Sequence, residues 1–100
     1  MTAAELDKSA RHEDSPPGGL SEELRSLWLA RAGRWHEAHD LCSGIPDPEG
    51  AWIHAHLHRE EGDLGNASYW YNRAKRTPPS PSVSLEEEWR ELATHFSAGN

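Results

Sequence analysis

Three histidines alternate along one stretch of the chain, His54, His56 and His58, in a sequence that holds 7 histidines among 100 residues. Read as a helix advancing about 100° per residue, this stretch puts Ala51, Ile53, Ala55 and Leu57 on an apolar arc whose middle is taken by His54 and His58. His56 then points the other way, with Arg59 and Glu60. Imidazoles on a face that needs burial must be hydrogen-bonded, solvated in a pocket or bound to a ligand. The spacing therefore predicts that His54 and His58 are more buried than His56, with Tyr71 or a backbone carbonyl of a neighbouring helix as partner. Glu61 extends the same row, at i, i+4 and i+7 from His54, and two imidazoles with one carboxylate form a donor set for a single cation. His54, His58, Glu61 and Tyr71 are the candidate binding residues, and the first three are the candidate metal ligands. No facing helix supplies a recognisable further ligand, so neither a resident metal nor another cofactor is expected.

Catalytic constellations are otherwise missing from the sequence. His39 precedes Cys42 by three residues, a spacing that a thiol–imidazole pair could use, but Cys42 sits in an apolar helical stripe and reads as a small buried hydrophobe. There is no Gly-rich phosphate loop, serine nucleophile elbow or HExxH motif, so no catalytic residue is assigned and the reading leans away from an enzyme.

Charge narrows the partners. Ten Lys and Arg against 17 Asp and Glu give a net charge of −7, which repels a phosphate backbone and an anionic membrane surface alike. The short basic cluster Arg73, Lys75 and Arg76 falls at an expected helix end, where it complements the dipole. A single cysteine permits no intrachain disulfide, nothing in the first twenty residues reads as an apolar signal segment, and no apolar run is long enough to span a bilayer; the expected compartment is the cytoplasm. On that reading the Asn66-Ala67-Ser68 acceptor sequence has no glycosylation role.

The elements that must position these residues are all helical. Residues 1–19 mix charges with small residues and end in Ser15-Pro16-Pro17-Gly18-Gly19, which reads as a flexible tail. Residues 20–100 form the expected single domain, with a proline-rich connector over 77–83. Helices are expected over 21–32, 34–42, 48–61, 64–76 and 85–96, opened by Ser21, by Asp47 with Pro48, by Asp63, and by a Ser84/Glu87 capping box within the last segment, 84–97. Leu64, Ala67, Trp70, Tyr71 and Ala74 form the inward face of the fourth, and Leu85, Trp89, Leu92 and Phe96 the apolar seam of the fifth. No segment shows the period-two alternation of a half-buried strand.

Gly33-Arg34-Trp35-His36-Glu37-Ala38 and Gly62-Asp63-Leu64-Gly65-Asn66-Ala67 align with each other 29 residues apart, each as a glycine turn, a bulky apolar residue and an alanine three later. This pattern resembles the middle of a tetratricopeptide repeat, and in the second copy the likeness continues through Tyr71, Ala74 and Pro79. The resemblance covers about residues 21–79, with a period shorter than that family's usual ~34. It implies an all-α fold of stacked antiparallel hairpins, and the apolar seam of residues 84–97, with no other apolar surface within reach, makes that segment the expected C-terminal capping helix. The polar residues with which some such repeats clamp a peptide carboxylate are not recognisable. The stretch from Trp52 to Arg59, with Glu61 to Asp63 and Asn66 to Tyr71, also resembles a family of short bacterial proteins, a likeness that implies no mechanism. The functional expectation is a protein-interaction module that binds a protein partner or forms a homodimer through apolar surface at the unfinished end of a short stack. The alternative is a small-molecule or metal-binding protein, catalytic or not, using His54 and His58.

Overall fold

Six helices make up the computed structural model, which describes residues 1–98: α1 (Ala3–His12), α2 (Glu22–Arg31), α3 (Trp35–Cys42), α4 (Glu49–Glu60), α5 (Leu64–Arg73) and α6 (Leu85–Ser97). No strand occurs among the described residues. Two hairpins organise the fold, α2 with α3 and α4 with α5. Each doubles back through a glycine in the left-handed region, Gly33 (φ 80°) and Gly62 (φ 89°), which a side chain would strain. The capping bonds repeat as well: Gly33 and Arg34 donate their N–H groups to Ala30 and Leu29, and Gly62 and Asp63 donate to Arg59 and His58. The alanine three residues into each second helix, Ala38 or Ala67, is buried.

The central helices are α2 and α4, which pack on each other. The former also meets α1, α3 and α6, and the latter α3, α5 and α6. A helix with neighbours on every side has no solvated face, and every residue of α4 from Gly50 to His58 is buried. Close packing fixes Gly50 in particular: a Cβ there would lie 2.0 Å from the Ile45 carbonyl oxygen. The helix starts one residue later than expected, at Glu49, and Asp47 pairs with Arg73 at 2.5 Å instead of capping it.

The stretch expected as a flexible tail contains α1, a correction to the sequence reading. Thr2 and Glu5 form a reciprocal capping box, Leu6 is fully buried, and Ser9 Oγ accepts from Trp28 Nε1 at 3.0 Å. Asp7 is buried too, held by Arg31 and by Arg11 at 2.6 Å. The polar average of the segment hides a narrow stripe whose polar members are buried because α2 supplies their partners.

Helix α6 begins with the expected Ser84/Glu87 capping box and buries Trp89, Leu92 and Ala93. Its packing partners are α1, α2 and α4, so it lies across the central pair. Trp89 Nε1 donates to the Leu27 carbonyl at 2.9 Å. Leu85 and Leu64, expected in apolar seams, are exposed. Helix α5 stops at Arg73, because Lys75 adopts φ 58° and the N–H groups of Lys75 and Arg76 bond back to Asn72 and Tyr71.

Candidate functional site

Helices α3 and α5 stand on either side of α4, and the side chains between them form a row of flat rings. On α3, Trp35 and His39 are one turn apart and stack at 5.0 Å between centroids. His39 meets His54 edge-on at 4.8 Å, and His54 stacks on Trp70 of α5 at 4.0 Å with a 13° interplanar angle. The Arg73 guanidinium lies 4.8 Å over the far end of the row, at the Trp70 ring. His58 lies beside His39, 5.3 Å away, and Trp35 is anchored by donating Nε1–H to the Leu57 carbonyl at 2.8 Å. Trp35, His39 and Trp70 are half-buried, so the row reaches the surface at its edges.

His54 and His39 resist protonation. Burial, reinforced by the neighbouring His39 and His58, pushes His54 down to about 4. Burial likewise lowers His39, with His58 adding to the effect. Near neutrality His54 and His39 are therefore uncharged. Ser43 Oγ lies 3.3 Å from His54 Nε2 and 2.8 Å from the His39 carbonyl, to which its hydroxyl donates. A base with a pKa of about 4 is poorly matched to abstracting a hydroxyl proton near neutrality, so this contact is not an activated nucleophile.

A different set of groups sits on the other side of α4. The Glu88 carboxylate of α6 is buried, accepts from His56 Nδ1–H at 2.7 Å and from Arg59 at 3.1 Å on one oxygen, and from the Tyr71 hydroxyl on the other. Burial alone would raise Glu88, but the hydrogen bonds from His56, Tyr71 and Arg59 outweigh it and hold the carboxyl below its ordinary value. The same burial, with Glu88 adjacent, raises Tyr71. Arg59 also donates to the Val83 carbonyl, tying the connector to the cluster.

The candidate residues named from sequence are thus divided. His58 and Glu61 meet, Nδ1 to Oε2 at 2.7 Å, whereas His54 turns to Trp70 and Ser43, so the trio of His54, His58 and Glu61 does not converge. Tyr71 serves Glu88 rather than His54 or His58. The expected order of burial is also corrected: His56 is 1% exposed and His54 and His58 are 6% exposed, because α6 covers the His56 side of α4. Cys42 is buried with its thiol pushed up to about 12, chiefly by burial, and its Sγ donates to the His39 backbone carbonyl, leaving no thiol–imidazole nucleophile.

Sequence reasoning missed His39, Trp35 and Trp70 as members of the groove, and Glu88 and Arg59 as partners of His56. The i, i+4 pairing of Trp35 with His39 is visible in the sequence, as is Glu88 in the otherwise apolar seam of α6. No family model, curated protein or solved structure matches the chain.

Proposed function

We propose that this chain is a tetratricopeptide-like helical-hairpin module that recognises another protein, or a second copy of itself, through α5 and the ring-lined groove beside it. The supporting architecture is the pair of consecutive hairpins with matching left-handed glycines and alanines at their close approach. The observation that carries the reading is the exposure on α5, whose backbone packs on α4: Leu64 is 65% exposed and Tyr69 53% exposed, beside the half-buried Trp70. Aromatic side chains at the rim of a groove are the usual anchors of a protein contact.

Sedimentation velocity over a wide concentration range tests this, comparing the natural chain with a Leu64→Ser, Tyr69→Ser double variant. A dimer that the double variant dissolves is the expected result. Monomer at every concentration, together with a thermal shift on adding small metabolites, would overturn it in favour of a small-molecule site.

A further inference from the structure

We propose that His58, Glu61 and Asp63 form a binding site for one divalent transition-metal ion of the zinc and cobalt class. This inference is independent of the interaction module proposed above. His58 ends the buried run of α4, Glu61 caps that helix, and Asp63 opens α5 after the left-handed Gly62 turn. The turn folds the chain back so that one donor atom from each of the three residues lies within 4.8 Å of the other two. Donors sharing a zinc ion stand about 2.0–2.2 Å from it, so rotation of the two carboxylates by roughly an ångström closes the set. Both acidic residues are exposed; Asp63 commits Oδ1 to the Asn66 N–H at 3.2 Å and has Oδ2 to offer, whereas His58 is buried.

The imidazole is held as a metal ligand needs to be. Nδ1 faces Glu61 at 2.7 Å, and Nε2 lies 3.5 Å from the side-chain amide of Asn66. Nδ1–H donates to the Glu61 carboxylate, so a cation bound at Nδ1 displaces that proton, and half a turn of the Asn66 amide then gives Nε2–H an acceptor. Trp35 meets the ring edge-to-face, at 5.9 Å between centroids. One imidazole with two carboxylates is a mixed nitrogen and oxygen set that suits zinc, cobalt or manganese better than magnesium, which favours oxygen donors alone. Two carboxylates on a chain of net charge −7 also favour a cation electrostatically.

The test is calorimetric titration of untagged, chelator-treated protein with ZnCl2, with CoCl2 as a spectroscopic probe and MgCl2 as the comparison. One zinc per chain is expected, with a visible cobalt absorption band and no heat from magnesium. Glu61→Gln and Asp63→Asn are surface changes that preserve the fold, the second because asparagine caps a helix as well as aspartate. Each is expected to weaken zinc by more than about tenfold. Absence of saturable zinc binding would overturn the site, as would one-to-one binding that survives both variants and is lost in His39→Ala.

Discussion

Two sides of α4 place imidazoles in opposite settings. On one side His56 donates to a buried carboxylate that also collects Arg59 and Tyr71, so charge is concentrated and fully partnered. On the other, His54 and His39 lie among rings with little opposite charge nearby, and burial suppresses their protonation. Adjacent residues of α5 serve the two sides, Trp70 the groove and Tyr71 the carboxylate. The first arrangement binds α6 to α4 and α5 and occupies both oxygens of the carboxylate. The second leaves half-buried rings at the edge of solvent, beside the exposed Leu64 and Tyr69 of α5 on which the recognition surface is proposed.

The sharpest way to break this contrast is Glu88→Ala, which strands Arg59, His56 and Tyr71 without their acceptor. A loss of about 3–5 kcal/mol in urea unfolding is expected, larger than for any single groove substitution. A loss under about 1 kcal/mol would mean that the cluster does not hold α6 in place.

Acid titration separates the sides by pH window, measured with metal removed by chelator. His54 titrates at about 4 in the folded chain and near 6.5 when unfolded, so the folded state binds fewer protons between these values. Its contribution is complete above pH 6.5 and lost as pH falls towards 4, by up to about 3 kcal/mol. Glu88 has the opposite chemistry and a lower window: its folded value is depressed, so its contribution is complete above about 4.5 and lost only as pH falls further. His54→Gln is expected to flatten the upper limb and spare the lower one. An unchanged upper limb would place the acid sensitivity elsewhere.

The smallest expected effect lies at the end of α5, the helix that serves both sides. Lys75 holds the left-handed position that Gly33 and Gly62 hold in the other two turns. Lys75→Gly should therefore stabilise the chain by up to about 1 kcal/mol, read as a higher urea midpoint. Destabilisation would indicate that the lysine side chain makes a contact worth more than the backbone strain.

Much of the helical layout is legible in local signals. Ser21, Asp63 and Ser84 accept the expected capping bonds, and both repeat glycines end helices. Helix α1 also carried a signal, Thr2-x-x-Glu5, but Leu6 and Ala10 alone offer too little apolar area to reveal a helix whose Asp7 and Ser9 are buried by long-range partners. The groove was half legible: His54 and His58 stood out in an apolar arc, whereas His39 gave no sign that it would meet them across a helix pair.

The sequence by itself determined that the chain is helical, where five of its six helices lie, where both hairpins turn, and that His58 and Glu61 share a face. Those features depend on residues within about four positions of one another, through capping, backbone conformation and helical period. Only the tertiary structure decided that α6 crosses the central pair, that His56 is the most buried of the three histidines, that Tyr71 serves Glu88, and that His39 joins His54. A helical period says which residues share a face but not how many faces are covered. For α4, with neighbours on every side, the burial of each histidine was set by packing partners as far away in sequence as Glu88.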